Sequence, residues 1–549
     1  MEEDRAGFRQ NRLIILGAGV MQGPAIILAK EMGLETVVVD GDPGALWASR
    51  ADRFEHIDLK DKEGIEDLAV SLQKEGRLGG IMTAGTDFSA TVAWVAGRLG
   101  LPGIPYEAAL NASDKERMRR CFHAAGIPAP QFVVLRDLPG RDFSLPFSYP
   151  AVVKPVDNMG GRGCRRVDSP EDLEAAVPGA LKFSRSGRVI LEEYLDGPEF
   201  SVDALVYRGK IVICGLADRH IFFPPYFIEM GHTMPAALDP GSADILLAAF
   251  KDGVRALGLA GKDCFGAAKG DLKLTSRGPR IGEIAARLSG GYMSGWTYPY
   301  ASGVEVTRGA IMAALGRVPR NLTPARSWTS AERAFISIPG RVRSLCGLEE
   351  AGAAPHVKDL FLRVQPGSRV MFPENNVAKC GNVITAAAGR ETAVNAADSA
   401  VRAIRIRLEA PDAETDAFLG IPAGASPAEG GFPPDAFSLT PALAALLADL
   451  PEPALPPVPV VPAGRPGPSL IPFPAFAESG LRDYQGRTVE ESLAMVRELT
   501  GFPLMPDAKP QSPFLGRGFW AALIRGGYQG AAYYVDRYFP AEFQKDVRI

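Results

Sequence analysis

The chain is poor in the residues that build metal clusters and disulfide frameworks. Its 549 residues include six cysteines and five histidines, and neither type recurs at a short spacing. Because no CxxC pair occurs, the cysteines predict free thiols in a reducing cytoplasm rather than a zinc site or a disulfide framework. The histidines likewise give no spacing typical of metal ligands.

Long apolar runs and a strong net charge are also absent. No uninterrupted apolar stretch could span a bilayer, so we expect no membrane contact. The segment Met1-Glu2-Glu3-Asp4-Arg5 is acidic and no apolar region follows it, so we expect no signal peptide. A formal net charge of −4 gives no basic footprint for nucleic acid. With 46% hydrophobic and 23% charged residues, the composition is that of a globular protein, and the length indicates three or four domains.

The most informative segment is Ile281–Gly291, in which an apolar run carries Glu283, then Arg287, then glycines. Asp271 precedes Glu283 in an alternating run, and a turn between two strands would set the two carboxylates side by side. Paired carboxylates on a rigid sheet suit Mg²⁺, which takes hard oxygen ligands. Arg287 could then bind a phosphate or carboxylate with two hydrogen bonds. The alternative is a surface hairpin with ordinary charges.

A second motif joins a strand lysine to a glycine loop. The run Tyr149–Pro155 predicts a strand that carries Lys154, and Gly160, Gly161 and Gly163 follow it. Glycines let backbone N–H groups approach a phosphate closely, and the lysine would add a point charge. The alternative is a flexible hairpin with a solvated lysine.

The segment Val189–Asp203 predicts a strand, a short connector and a second strand. Backbone groups exposed in such a connector can hydrogen-bond the edge of an adenine, and Glu199 could accept from ribose hydroxyls. The alternative is an ordinary pair of strands.

In their order and spacing these elements resemble the ATP-grasp superfamily. The segment Glu283–Gly291 is most similar to the L-amino-acid ligase branch, while carbamoyl-phosphate synthase, biotin carboxylase and the purine-pathway ligases are more distant. The resemblance covers about residues 12–410. It implies a carboxylate–amine ligase that uses ATP with Mg²⁺, or with Mn²⁺ in its place, on small-molecule carboxylate and amine substrates.

The resemblance also implies roles for individual residues. Arg287 and Lys154 would be catalytic, and Asp271 and Glu283 would bind the metal. The residues implied for ATP binding are Lys115, Lys154, Gly160, Gly161, Gly163, Glu192, Glu193, Leu195, Glu199 and His232. Those implied for the substrate, through N–H and hydroxyl donors to an acceptor carboxylate, are Ser289, Gly290, Gly291 and Tyr292.

Two positions depart from the family pattern. Many relatives place an asparagine two residues after the second metal carboxylate, where this chain has Ala285. At the first metal position Asp271 replaces the usual glutamate. A register error of two residues would put Lys269 or Lys273 there instead, and neither can bind a metal.

The fold class is therefore α/β, in five predicted segments. These are a doubly wound Rossmann-like domain at 1–112, an ATP-grasp domain of two α+β lobes at 113–320, a small C-terminal α+β lobe at 321–410, a Pro-rich linker at 411–475 and an extension at 476–549. We expect the extension to dock on the body or to mediate assembly, and a homo-oligomer is left open.

Within these segments several elements are predicted individually. A capping box of Ser113 with Glu116 predicts a helix from Ser113 to about Ala125. An amphipathic helix is predicted over Glu391–Leu408, and another helix over Thr488–Leu499. The loop that ends at Asp87 should lie at the carboxyl ends of the parallel strands, where open α/β sheets bind ligands.

Three other functions compete with the ligase. A dehydrogenase is suggested by Gly17-Ala18-Gly19 with Asp40, although the glycine spacing misses the dinucleotide pattern. A former of carboxyphosphate or carbamoyl phosphate shares the ATP chemistry. A nucleotide-binding scaffold is the third, but it would not need a pair of metal-binding carboxylates.

Overall fold

Two units make up the part of the chain that the computed structural model describes, namely residues 11–140, 142–421, 431–452, 469–502, 504 and 514–539. One unit lies within 1–332 and 384–394, and the other within 333–383 and 395–549. The acidic segment Met1–Arg5 and most of the Pro-rich stretch lie outside the described residues. The domain boundaries inferred from the sequence stay predictions.

Strands rich in Ile, Val and Leu build the first sheet, in which all neighbours are parallel and the order is β3-β2-β1-β4. Its elements are β1 (Arg12–Leu16), α1 (Gly23–Glu31), β2 (Glu35–Asp40), β3 (Arg53–His56), α2 (Lys62–Lys74), β4 (Leu78–Thr83), α3 (Ser89–Leu99) and α4 (Tyr106–Ser113). Leu13 and Ile15 belong to one apolar core, and Ile14 and Leu16 belong to another. The sheet is thus covered on both faces, which confirms the doubly wound domain.

The glycine turn after β1 is closed by the chain itself. A carboxylate oxygen of Asp40 accepts the N–H of Ala18 at 2.7 Å, and the amide oxygen of Gln22 accepts the N–H of Gly19 at 3.0 Å. The amide nitrogen of Gln22 donates to the carbonyl of Ala84. Asp40 is therefore a structural cap, which removes the acid that the dehydrogenase interpretation needs for a ribose.

The helix that follows begins one residue later than predicted. In α5 (Lys115–Ala124), the carboxylate of Asp114 accepts the N–H of Arg117 at 3.0 Å, so Asp114 is the N-cap. Ser113 is the last residue of α4, and its hydroxyl donates to the carbonyl of Ala109 at 2.8 Å. The predicted Ser113 cap is wrong because α4 continues as far as Ser113.

An antiparallel sheet in the order β5-β8-β6-β7 forms the next lobe. Its elements are β5 (Phe132–Leu135), β6 (Ala151–Pro155), β7 (Arg165–Val167), α6 (Leu173–Leu181) and β8 (Val189–Glu193). Val153 packs into the core with α6. Because side chains alternate along a strand, Lys154 lies on the opposite face.

A larger antiparallel sheet carries the strands β13-β12-β9-β10-β11 in that order. Its elements are β9 (Glu199–Tyr207), β10 (Lys210–Phe222), β11 (Ile228–Met234), α7 (Pro240–Ala256), β12 (Phe265–Thr275), β13 (Gly278–Ala285), α8 (Tyr298–Ser302) and α9 (Val306–Ala314). Phe250 and Val254 of α7 pack on one face of this sheet, against Val202 and Leu272. The other face is left for polar side chains.

From residue 329 onward the elements are β14 (Thr329–Phe335), β15 (Gly340–Cys346), α10 (Leu348–Ala353), β16 (Val357–Leu362), β17 (Arg369–Val370), β18 (Gly381–Ala387), α11 (Arg390–Ala403), β19 (Arg405–Leu408), α12 (Ala413–Leu419), α13 (Pro441–Ala448), β20 (Ser469–Leu470), α14 (Pro474–Ala477), α15 (Val489–Thr500), β21 (Phe514–Leu515) and α16 (Arg517–Tyr538). The helix predicted as far as Leu408 ends at Ala403. Ile406 instead pairs with Leu345 in a short antiparallel ladder, because the buried residues there alternate as in a strand.

The C-terminal extension shares one apolar core with residues 335–419. Phe476 contacts the rings of Phe437 and Trp520 edge to face, with centroids 5.4 and 5.9 Å apart. The predicted helix over Thr488–Leu499 is α15, and Thr488 and Glu491 form its capping box. None of the described helices is both long and apolar enough to cross a bilayer.

Candidate active site

The polar face of the larger sheet follows from the alternation of side chains along its strands. Phe200 and Val202 pack under α7, so Ser201 and Asp203 lie on the other face. Asp271 on the neighbouring strand pairs with Ser201 and joins this face.

The hairpin of β12 and β13 pairs Asp271 with Glu283, which confirms the predicted register. The ladder shifts between Asp271 and Leu272, where Gly282 forms a bulge. Because Asp271 has this place, the alternative register with Lys269 or Lys273 opposite Glu283 is excluded.

Asp271 is surrounded by cations and a hydroxyl. Its carboxylate lies 3.1 Å from Nη1 of Arg219, and it accepts hydrogen bonds from Nζ of Lys269 and from the Ser201 hydroxyl, the latter at 3.0 Å. Burial opposes ionisation, but Arg219 and Lys269 outweigh it and hold the pKa of Asp271 below its ordinary value. This carboxylate is therefore anionic at neutral pH.

Glu283 is more open, with 31% of its side chain exposed, and its carboxylate lies 3.7 Å from Nζ of Lys115. Burial opposes its charge too, but Lys115, Lys269 and Lys154 lower the pKa of Glu283. Two anionic carboxylates on one hairpin fit a hard cation such as Mg²⁺. Among the described residues no group of three or more His, Cys, Asp and Glu side chains gathers as a metal site.

Lys115 links the hairpin to the glycine loop. Its side chain is buried, and Nζ donates to the carbonyl of Asn158 at 2.8 Å while facing Glu283. The three glycines of the loop have φ of +69°, +74° and +69°, which other residues rarely adopt, and they are Gly160, Gly161 and Gly163. The sequence therefore needs glycine here to shape the loop beside Lys115.

Lys154 forms a buried ion pair with Glu192. Nζ of Lys154 lies 2.7 Å from one carboxylate oxygen, and Nε of Arg119 lies 2.8 Å from the other. Burial opposes the charge on Glu192, but Arg119 and Lys154 lower its pKa below the ordinary value. An adenine contact of Glu192 stays a prediction, and in this structure the carboxylate binds the two cations.

Three further residues that are predicted to bind ATP also have partners within the chain. Glu193 pairs with Arg277, and the carbonyl of Leu195 accepts from Nζ of Lys273 at 3.0 Å. Glu199 pairs with Arg219. Their contacts with ATP stay predictions.

Arg219 is the central residue that sequence reasoning missed. Its guanidinium contacts Glu199 and Asp271, and its Nη2 lies 2.6 Å from Glu229. Burial opposes its charge, but Asp271, Glu199 and Glu229 together raise the pKa of Arg219. Arg219 could have been found only from the strand register, because it lies opposite Glu199 on one neighbouring strand and opposite His232 on the other.

His232 is fully buried between two carboxylates. Its Nδ1 lies 3.0 Å from Glu332 and its Nε2 lies 3.4 Å from Glu229. Burial disfavours the charged ring, but Glu229 and Glu332 raise the pKa of His232. The predicted contact of His232 with ATP stays a prediction, and in this structure both ring nitrogens face carboxylates.

The predicted substrate loop is anchored by Asp203. The carboxylate of Asp203 accepts the N–H of Ser289 at 3.1 Å and also its hydroxyl. Ser294 donates its N–H to the same hydroxyl at 3.1 Å. Burial raises the pKa of Asp203 to about 6, although Ser289 and Lys269 oppose that shift. Because the Ser289 hydroxyl serves Asp203, donors toward a substrate would come from the loop backbone.

The rest of this loop packs closely on the histidine. A Cβ at Gly291, where φ is +60°, would lie 2.9 Å from Oε1 of Glu229 and 2.9 Å from Cε1 of His232. Tyr292 is buried, and its ring meets Trp296 edge to face at 5.4 Å. The loop, the histidine and its carboxylates thus form one wall of the site.

Arg287 is mostly buried, and its charge acts on Asp87, which lies in the loop after β4. Arg287 is 9% exposed, its Nη1 donates to the carbonyl of Leu288 at 3.0 Å, and its buried Nε has no hydrogen-bond partner in the described structure. Burial raises the pKa of Asp87, and Glu283 adds to that shift while Arg287 opposes it. The loop that bears Asp87 thus follows the carboxyl end of β4, as predicted, and the charges of Arg287 and Glu283 act on this carboxylate.

The arrangement combines two anionic carboxylates with five cations. The cations come from different elements of the first unit and are Lys115, Lys154, Arg219, Lys269 and Arg287. Such a set can bind a polyphosphate with its divalent cation and stabilise charge that develops as a phosphoryl group moves.

Comparison with known proteins identifies this arrangement. Residues 147–292 match the family described as an ATP-grasp domain, and residues 334–409 match the L-amino acid ligase C-terminal domain 2. The chain therefore carries an ATP-grasp domain and an L-amino acid ligase C-terminal domain. The first match spans Lys154, the glycine loop, both carboxylates of the hairpin and the Ser289 loop.

Individual proteins resemble this chain along most of its length. An uncharacterised protein of Sinorhizobium fredii is 25% identical over 422 residues, which are 73% of this chain and 86% of that protein. Carnosine synthase 1 of Gallus gallus is 27% identical over 417 residues, 69% of this chain and 43% of that enzyme. The chain thus spans less than half of that relative.

A solved structure shares the fold. The L-amino acid ligase of Bacillus licheniformis superposes with a TM-score of 0.64 at 23% identity, covering 73% of this chain and 99% of that one. The match supports the arrangement of lobes around the hairpin.

Proposed function

We propose that this chain joins a small-molecule carboxylate to an amine as an ADP-forming ligase that takes an amino acid as one substrate. The observation that carries the proposal is the Asp271–Glu283 pair, anionic and facing Lys115 beside the glycine loop. The match to an L-amino acid ligase domain supports an amino acid as one partner.

Asp271 and Glu283 are the residues that would hold Mg²⁺ or Mn²⁺. When bound, the ion would neutralise phosphate charge and orient the phosphates for transfer. Both carboxylates are ionised at neutral pH, as a hard cation requires.

The proposed reaction has two steps. A substrate carboxylate oxygen attacks the γ-phosphorus of ATP, the bond to the bridging oxygen breaks, and ADP leaves. The amine then attacks the acyl carbon, phosphate leaves, and the amine loses a proton. Lys154 and Lys115 would hold the phosphates, and Arg287 would stabilise charge on the transferring group.

The amine must lose a proton, and Asp87 is placed to help. Burial raises the pKa of its carboxyl, which makes it a better base, and the charges of Glu283 and Arg287 act on it. We assign Asp87 the role of binding the ammonium form of the amine and accepting its proton. The glycine loop would keep water from the acyl phosphate.

The test is a trapping experiment with hydroxylamine. In the presence of ATP, Mg²⁺ and a panel of carboxylates, the full chain should form a hydroxamate and release ADP. AMP with pyrophosphate would overturn the proposal. Products formed from bicarbonate alone would identify an enzyme that forms carboxyphosphate. ATP binding without turnover of any acid in the panel would identify a nucleotide-binding scaffold.

A further inference from the structure

A cavity of about 50 Å³ lies next to the site, inside the first unit. It is lined by the end of β4, the first turns of α3, residues 102–104, the start of β12, residues 286–288 and one face of α9. Small residues leave this space, and they are Ala93, Ala267, Ala286, Ala310 and Ala314.

The wall of the cavity is apolar apart from a few groups. Thr83 and Ser89 are already engaged, since the Thr83 hydroxyl donates to the carbonyl of Leu16 at 3.0 Å and the Ser89 hydroxyl lies 3.3 Å from that of Ser113. Arg287 is the one charged residue among those that line the cavity. Its buried Nε has no hydrogen-bond partner in the described structure.

The cavity is continuous with the segments that carry the chemistry. Thr83 leads directly into the loop that bears Asp87, and Leu288 leads into the Ser289 loop. Ala84 and Leu288 form an isolated parallel β-bridge between the two segments, and the N–H of Gly85 donates to the carbonyl of Leu288 at 3.3 Å. A ligand bound at Arg287 would therefore have the cavity immediately beside it.

We propose that the cavity selects the substrate, and that it takes the aliphatic chain of a carboxylic acid whose carboxylate binds Arg287. This rests on the proposed function, because it assigns the substrate class of the same site. An unpaired buried guanidinium N–H favours an anion, and the alanine wall favours a hydrocarbon chain.

The volume limits the size of that chain. A water molecule needs about 10–15 Å³ of such a cavity, so a cavity of about 50 Å³ has room for about three to five waters. That is the space of a chain of about three to five carbons. Each buried methylene should strengthen binding about fourfold until the cavity is full.

The experiment measures binding of straight-chain acids from acetate to hexanoate, by calorimetry on the full chain. Affinity should rise about fourfold per methylene and then level off. Ala93→Val narrows the cavity and should shorten the preferred chain, and Ala310→Val is a second variant if the first does not fold. Ala90→Val is the matched control, since Ala90 lies on the same helix and does not line the cavity.

Two further arms separate the possible failures. The wild type should bind an alcohol more weakly than the acid of equal chain length. In Arg287→Met this difference in affinity between acid and alcohol should disappear. Equal affinity along the series, or the same series in wild type and Ala93→Val, would show that the cavity is a packing void. Hydroxamate formation is then measured with the acid that binds best. Binding of this acid without hydroxamate formation would refute the proposed ligase reaction and leave the cavity assignment standing. Hydroxamate formation at a rate independent of chain length would refute the cavity assignment and leave the ligase reaction standing.

Discussion

Two glycine turns of this chain follow buried strands, and their neighbours give them different roles. The turn Gly17-Ala18-Gly19 has its N–H groups accepted by Asp40 and Gln22. The loop Gly160–Gly163 is instead flanked by Lys154 and Lys115. In the first turn, side-chain acceptors already occupy the backbone N–H groups, so these cannot bind a phosphate. In the second, neighbouring lysines favour a bound anion. Glycines alone therefore do not identify a phosphate site.

The largest effect is expected from Lys154→Met, which removes a cation from the second loop. Loss of a preorganised charge at a phosphoryl-transfer site lowers turnover by about 10²–10³, and ATP should also bind more weakly. Lys182→Met, an exposed position in the same lobe, is the control. Wild-type ATP affinity and turnover in a folded Lys154→Met protein would show that the loop is not the phosphate site.

The Ser289 loop is a third glycine turn, and like the first it is held by a carboxylate, the buried Asp203. The pKa of Asp203 is raised to about 6, so its contribution to stability is fully present below its ordinary value near 4 and is lost as the pH rises through about 6. The loss should be on the order of 3 kcal/mol. In Asp203→Asn this pH dependence should be absent from urea unfolding between pH 4 and 7, and parallel curves for both proteins would contradict the assignment.

A smaller effect, of about tenfold, is expected in the metal requirement. Glu283→Gln and Asp271→Asn each remove one of two negative charges, so half-maximal activity should need about ten times more Mg²⁺. Asp40→Asn, at the closed turn, should leave the titration unchanged. If Asp271→Asn behaves like wild type while Glu283→Gln does not, the first metal ligand lies elsewhere.

The smallest effect belongs to the closed turn itself. Asp40→Ala removes the acceptor for the N–H of Ala18 and should destabilise the protein by about 1 kcal/mol, with ATP kinetics unchanged. Thermal unfolding and a steady-state assay check the two parts. A large loss of ATP affinity would mean that this turn too contributes to the nucleotide site.

The parts of the site that the sequence predicts are those set by short-range geometry. The pairing of Asp271 with Glu283 depends on one hairpin, and the glycine loop follows its strand directly, so both are readable from residue order. Arg219 meets Glu199 and Asp271 only through the register of three strands. That register is set by packing under α7, which no local pattern reveals.

Long-range contacts limit the prediction of helix ends in the same way. Helix ends depend on contacts made elsewhere in the chain, as with Ser113, which stays helical, and Leu408, which joins a strand. The side chain of Arg487 donates to carbonyls at the end of α11, including that of Arg402 at 3.3 Å. A residue about eighty positions away thus helps to end that helix, and sequence periodicity could not show it.

The shared core of the C-terminal extension has a consequence for synthesis on the ribosome. Residues 335–419 emerge well before Phe476 and Trp520, which complete their core. About a hundred residues separate Leu419 from Trp520, so at about 5–20 residues per second the apolar surface of the nascent lobe stays uncovered for about 5–20 seconds. The first unit can fold in that interval, while the second waits for the last helix, so a stalled or truncated chain would present a finished catalytic half joined to an aggregation-prone one.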